Sequence, residues 1–395
     1  MSFRACVSWS KDLLGYDFGF GHPMSPVRLD LTMRLAQELG MLDNDDVSVV
    51  SSQGASDDLL ALVHTKEYIA AVHAASERDE PQELRGLGTE DNPNFPGMHD
   101  AAARMTASTV DVAMEVWSGK AQHGLNLAGG MHHAMPDGAA GFCIYNDAAV
   151  AIRRLQEAGA TRVLYVDVDA HHGDGVERVF WDDPNVLTFS IHQSGASLFP
   201  GTGFPTDIGG ANALGAAVNV ALPARTASDG WLRALHAVLP DVVRAFRPEI
   251  IVSQHGCDAH PLDTLSDLRV SVDAQRQGAQ LIHELAHTYC DGKWVALGGG
   301  GYSVVDVVPI MWTHVLGIVT HNEFSAATQT PQRWRAHVRE YLDHTPPDVL
   351  SDGLGSASFT SWESGYDPAS EIDRAIRATR SAVFPHLGVD LTYEI

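Results

Sequence analysis

Cysteine is scarce in this 395-residue chain, and the four present (Cys6, Cys143, Cys257, Cys290) lie far apart with no C-x-x-C pair. That argues against a disulfide framework and a cysteine-built zinc site. Basic residues are few: 26 Lys and Arg stand against 50 Asp and Glu, a formal net charge of −24 with 20 histidines counted neutral. Such a surface repels polyanions, so nucleic acid is not an expected partner. No apolar run approaches the roughly 18 residues of a membrane span. The opening Met-Ser-Phe-Arg-Ala-Cys lacks the basic and apolar regions of a secretory signal. Internal repeats are missing too. A cytoplasmic location away from membranes is therefore expected, and oligomeric state is left open.

What is present is core material: 45% of the residues are apolar. Arg162–Val168, Val186–Ile191, Glu249–Ser253 and Trp294–Leu297 read as buried strands, with a shorter strand-like run at Leu125–Ala128. Asp147–Ala158, stopped by Gly159, and Ser228–Phe246 read as helices. An earlier helix is expected from Ser25, with Pro26 in its first turn, to about Gly40. The alternation predicts an α/β fold: one open domain with a central, mainly parallel sheet flanked by helices, and its site at the C-terminal ends of the strands. The catalytic unit is expected over 1–322. Residues 323–395 are expected to form an extension packed on it, with an irregular stretch near 345–368 and a last helix from Asp367-Pro368.

Chemistry concentrates in Tyr165-Val-Asp-Val-Asp-Ala-His-His-Gly-Asp-Gly175. Carboxylates at the end of a buried strand are costly unless a cation compensates them. Asp169 and His171 can grip one metal ion, with Asp167 beside them to orient a ligand or hold a second ion. Asp258, again after a buried strand, can complete an Asp/His/Asp set with coordination left open for water and substrate. Adjacent His132 and His133 follow Gly129-Gly130-Met131; alone, such a pair is ordinarily incidental. Four glycines at 298–301 deliver Tyr302, and no Lys-[Ser/Thr] follows them to suggest a nucleotide loop.

Together the segments GHPMSPVR (21–28), GGMHHA (129–134), GFCIYND (141–147), DVDAHHGDGV (167–176), FPGTG (199–203), HGCDAH (255–260) and LGGGGY (297–302) resemble the class I histone-deacetylase-like zinc amidohydrolases. The resemblance is strongest to the bacterial AcuC-type, or acetoin-utilisation, branch and spans about residues 5–320. It implies a lysine deacetylase that hydrolyses the N6-acyl amide with a metal-activated water. Asp169, His171 and Asp258 would hold Zn²⁺, with Fe²⁺ as the alternative ion. His132 and His133 would be the tandem histidines, oriented by Asp167 and Asp174 respectively, with His133 as general base and acid. Tyr302 would stabilise the oxyanion.

The resemblance further implies that Phe142 and Phe199 wall a narrow channel, with Leu265, Gly300 and Gly301 lining it. Asp91 would hold substrate backbone N–H groups at the rim, and Arg28 would sit near the inner cavity that receives acetate. A K⁺ site would use Asp167, Asp169, His171, Ser190 and Ile191, and a second would lie around Phe180, Asp183 and Val186. The implied partner is an acyl-lysine protein or peptide, with acetyl-CoA synthetase as the leading candidate. Three other readings stay open at this point: an acetylpolyamine amidohydrolase, a non-catalytic acetyl-lysine binding protein, and an arginase-like binuclear hydrolase recruiting His260 and Asp263.

Overall fold

The computed structural model describes residues 4–77 and 85–391. Eight strands, β1 (Ala5–Ser8), β2 (Val47–Val50), β3 (His123–Asn126), β4 (Val163–Asp167), β5 (Val186–Gln193), β6 (Ala217–Leu222), β7 (Ile250–Gln254) and β8 (Trp294–Leu297), form one sheet. Its order is β2-β1-β3-β8-β7-β4-β5-β6, and every neighbouring pair is parallel. This is an open α/β sheet as the alternation of strands and helices predicts.

Strand side chains alternate between two apolar layers. Leu164, Val166 and Ile251 enter the larger core, whereas Val163, Tyr165, Ile250 and Val252 enter the other. Helices Val27–Glu38, Ser228–Phe246, Val272–Tyr289 and Val308–Val319 pack into the first layer; Asp147–Glu157 packs into the second, and Met98–Trp117 contributes to both. Parallel strands buried on both faces need continuous apolar runs, which is why β4, β5, β7 and β8 were legible.

Several boundaries differ by a few residues from the sequence expectation, the first helix being Val27–Glu38 and β5 running on to Gln193, and two have a visible local cause. The run expected at Leu125–Ala128 pairs instead as His123–Asn126, because the Asn126 side chain accepts from Ala128 N (3.2 Å) and turns the chain out of the ladder. The last helix begins at Glu371 rather than Asp367. Asp367 closes its own turn by accepting from Ala369 N (2.9 Å), and Ser370 then caps the helix by accepting from Asp373 N (3.2 Å).

That helix, Glu371–Leu387, lies against the edge strand β6, where Thr379 Oγ1 donates to Asn219 O (2.6 Å). Arg233 holds it in place with a two-pronged contact to Asp373, 2.8 Å on each prong.

Candidate active site

Sheet register brings four distant loops together. Asn126 pairs with Leu297, Leu297 with Gln254, and Gln254 with Asp167, so β3, β8, β7 and β4 end at one level. The segments after them carry His132–His133, Gly298–Tyr302, Asp258 and Asp169–Asp174. Ligands in open parallel sheets gather at such ends.

Asp169, His171 and Asp258 meet there, all buried. His171 Nδ1 lies 3.1 Å from Asp169 Oδ1 and 3.0 Å from Asp258 Oδ2, and the three donor atoms fall within 4.8 Å of one another. His171 Nε2 donates to Leu265 O (3.2 Å), which directs Nδ1 toward both carboxylates. The other oxygens are occupied. Asp169 Oδ2 accepts from Gln254 Nε2 (2.7 Å) and Gly300 N (2.8 Å), and Asp258 Oδ1 accepts from Ala170 N (2.9 Å).

Burial and the facing Asp169 carboxylate push Asp258 up to about 7. Burial pulls His171 down, but Asp258 and Asp169 override it and drive the imidazole well above its ordinary value. Both shifts express one demand: two carboxylates in a buried space need a cation. One imidazole nitrogen and two carboxylate oxygens suit a divalent ion such as Zn²⁺ or Fe²⁺ with further positions open. The closeness depends on glycine, since a Cβ at Gly256 would collide with Asp169 Oδ2 and one at Gly300 with Asp258 Oδ2.

The tandem histidines sit beside this trio. His132 Nδ1 donates to Asp167 Oδ2 and His133 Nδ1 to Asp174 Oδ1, both at 2.7 Å, the two pairings expected from the sequence. His132 Nε2 then lies 4.0 Å from Asp169 Oδ2. Burial lowers both rings, but the carboxylates of Asp167 and Asp169 reverse this for His132 and raise it to about 9. His133, beside that cation, is held at about 4 despite Asp174. Adjacent residues of the same type are thus pushed in opposite directions, His132 toward the cation and His133 toward the neutral base.

His133 and His171 line a cavity of about 220 Å³ together with Asp91, Phe142, Phe199, Leu265 and Tyr302. Phe199 meets the His133 ring edge-on at 5.0 Å, and Phe142 meets the Tyr302 ring edge-on at 5.7 Å. The two phenylalanines are therefore walls of the cavity and not ordinary core; Phe199 is 45% exposed. Burial, then the Asp258 and Asp169 charges, raise the Tyr302 phenol well above its usual range, so it keeps its proton and can donate.

Arg28 lies behind the cavity, beneath the glycine loop. Its guanidinium donates to Gly299 O (2.7 Å) and Gly301 O (3.1 Å) and stacks 5.1 Å from the Trp312 ring. It helps line a small internal space with Tyr16, Met24, Met131 and Trp312. Gly301 stands at φ +143°, a backbone geometry that favours glycine and presents its carbonyl to Arg28.

Asp167 and Ser190 are register partners on β4 and β5, with Ile191 next along. His192 Nε2 donates to Gly203 O (2.9 Å), so its Nδ1 accepts the Ser190 hydroxyl proton (2.8 Å) and leaves the Ser190 oxygen lone pairs available to a cation. In the turn Phe180–Val186, Asp183 N donates to Phe180 O (3.0 Å) and Val186 N to Asp183 O (3.2 Å). The residues of a binuclear arginase-like site are engaged elsewhere. His260 contacts Asp352 Oδ2 (3.1 Å), and the Asp263 oxygens accept from Leu265 N (3.0 Å) and Tyr302 N (2.7 Å).

Residues 22–319 match the histone deacetylase domain. The chain belongs to the histone deacetylase family. It is 44% identical over 310 residues to the acetoin utilization protein AcuC of Bacillus subtilis (strain 168), covering 78% of this chain and 80% of that one. With AcuC of Staphylococcus xylosus the identity is 37% over 347 residues, 87% and 89% of the two chains. The histone deacetylase homologue from Aquifex aeolicus superposes with a TM-score of 0.83 at 28% identity, covering 95% of this chain and all of that one. A structure of a histone deacetylase homologue complexed with SAHA gives 0.82, also at 28% identity, over 96% of this chain and 100% of that chain. The chain is thus an AcuC-like hydrolase of the deacetylase family.

The same site also involves residues to which the sequence reading gave no role. Asp147, at the N-terminus of helix Asp147–Glu157, accepts from Gly130 N, Met131 N (2.8 Å) and Thr109 Oγ1 (2.6 Å) and so fixes the loop bearing both histidines. Gln254 bridges Asp169 and Gly256 N (2.7 Å). The Tyr16 hydroxyl donates to Phe142 O (2.7 Å) and holds Phe142 in its positive-φ conformation, φ +69°. A polar residue closing an apolar run, as in Cys-Ile-Tyr-Asn-Asp147, is the only sequence signal any of them leaves.

Proposed function

We propose that this chain is a metal-dependent protein lysine deacetylase of the cytoplasm, acting on N6-acyl-lysine in proteins or peptides, with acetyl-CoA synthetase as the leading candidate substrate. One observation carries the reading: the buried Asp169/His171/Asp258 trio reaches, through His171, a cavity that is also lined by the imidazole of His133 and the phenol of Tyr302. A divalent ion in that trio, Zn²⁺ or Fe²⁺, would act as a Lewis acid toward the amide carbonyl and acidify a water.

The remaining work falls to the chain. Phe142 and Phe199 flank a passage suited to the aliphatic stem of lysine, and Asp91 lies at its rim to accept substrate N–H groups. His133 takes the proton of the attacking water and returns it to the departing lysine amine, with Asp174 holding its tautomer. His132, cationic through Asp167, sets the electrostatics beside it. Tyr302 donates to the carbonyl oxygen as negative charge grows there. K⁺ held around Asp167, Asp169, His171, Ser190 and Ile191 would brace the same strand ends, and a second ion would suit the turn formed by Phe180, Asp183 and Val186.

The test is release of lysine amine from an acetyl-lysine peptide, lost on chelation and restored by Zn²⁺ or Fe²⁺. Tyr302→Phe should lower kcat by about 10²–10³-fold with metal content unchanged. Near-normal turnover in that variant overturns the role of Tyr302. Metal-independent binding of the peptide without cleavage overturns the enzyme reading.

A further inference from the structure

Four histidines meet at the opposite end of β3 from the His132–His133 loop. His123 opens β3, His283 and His287 stand four residues apart on helix Val272–Tyr289, and His321 follows helix Val308–Val319. One ring nitrogen from each lies within 4.8 Å of the other three. We propose that they form a second metal site, taking a divalent transition-metal ion of the Zn²⁺ class.

Geometry is the first support. His123 Nε2 lies 3.1 Å from His287 Nε2, and His283 Nε2 lies 3.0 Å from His321 Nε2. A tetrahedral ion with Zn–N bonds of about 2.0–2.1 Å separates its ligand atoms by about 3.4 Å, so the donors need small adjustments only. Positions i and i+4 put His283 and His287 on one helix face, the spacing by which a helix presents two imidazoles to one ion.

Tautomer is the second and independent support. His123 Nδ1 lies 2.8 Å from Val319 O, a group that only accepts, so Nδ1 carries the proton and the Nε2 lone pair faces the cluster. A backbone carbonyl on the far ring nitrogen is the usual outer contact of a metal-binding histidine.

The surroundings suit a cation. His123 is buried whereas His287 and His321 are exposed, giving an ion entry from solvent to a buried anchor. Imidazole donors select Zn²⁺, Cu²⁺ or Ni²⁺ over Mg²⁺ or Ca²⁺. An ion here would tie together β3 and two helices distant in sequence.

The site is independent of the deacetylase reading, and its test does not depend on activity. Full-length protein is loaded with Zn²⁺, desalted and assayed for metal per chain by mass spectrometry. Wild type should retain two equivalents. Asp258→Asn should lose one of them, and the His283→Ala/His287→Ala double variant should lose the other while keeping peptide hydrolysis. His287→Gln, a change at an exposed position, should weaken the second equivalent at least tenfold with an unchanged circular dichroism spectrum. Added Zn²⁺ should raise the Tm of Asp258→Asn but not that of a triple variant carrying both histidine changes. An Asp258→Asn variant that retains no metal, or a metal content in both histidine variants equal to that of wild type, overturns the proposal.

Discussion

Asp147 never touches the cavity, yet the position of both tandem histidines runs through it. Its carboxylate is fully buried and takes protons in hydrogen bonds from two backbone amides of the Gly129–His133 loop and one threonine. Asparagine would keep one acceptor oxygen but turn an NH₂ group toward a donor, leaving a buried polar atom unpaired at a cost of about 1–3 kcal/mol. Asp147→Asn should therefore lower Tm and reduce kcat by at least about tenfold, because small displacements of a catalytic group are costly. A variant with normal kcat and lowered Tm would separate the loop anchor from catalysis. The Asp169/His171/Asp258 trio was legible in sequence because buried carboxylates are costly without a cation, whereas His132 and His133, incidental as a lone pair, stood out only through the family resemblance. Asp147 and Gln254 were not legible, since they act on backbone atoms of loops that only the fold brings near.

At the scale of elements, the strands that carry the site were the readable ones, and the rim of the sheet was not. β4, β7 and β8 are dominated by consecutive apolar residues, whereas β1 (Ala-Cys-Val-Ser) carries little apolar bulk and the central side chains of edge strand β2 are exposed. The terminal helix was legible by its apolar spacing, but its anchor was not, because Arg233 and Asp373 are 140 residues apart. Burial raises the Asp373 carboxyl, and the contacts with Arg233 and Asp367 N outweigh it and hold the group below its ordinary value. A depressed folded pKa gives stability that is present above the unfolded value near 4 and lost as pH falls through the folded one. Asp373→Asn leaves Arg233 without its counter-charge in a half-closed setting and should cost about 1–3 kcal/mol at pH 7. Urea unfolding at pH 7 and at pH 3 checks this: the gap between wild type and variant should narrow at the lower pH. A gap that is equal at both would mean the pair contributes through packing alone.

At the scale of the whole molecule, the charge of −24 divides into two populations. Asp147, Asp167, Asp169 and Asp258 are buried, and Asp174 is largely so; each is already committed to a histidine, a backbone amide or the trio that needs a cation. They shape the site without acting on a distant substrate. Glu177, Asp263 and Asp373 are buried too, but most other described carboxylates are at least partly exposed, with few basic residues to offset them, and a field of one sign speeds the approach of oppositely charged partners. An acylated lysine is neutral, so with the proposed substrate this attraction would act on neighbouring Lys and Arg. An acetyl-lysine peptide flanked by basic residues should therefore lose kcat/KM by about tenfold between 20 and 300 mM salt, because screening shortens the reach of exposed charges to a few ångströms. A peptide with neutral flanks should change little over the same range. On the proposed role of Asp91 as the rim acceptor for substrate N–H groups, Asp91→Asn should raise KM for both peptides, because such a contact would be made at short range. If both peptides lose rate equally with salt, the surface charge serves solubility and the cavity alone selects the substrate.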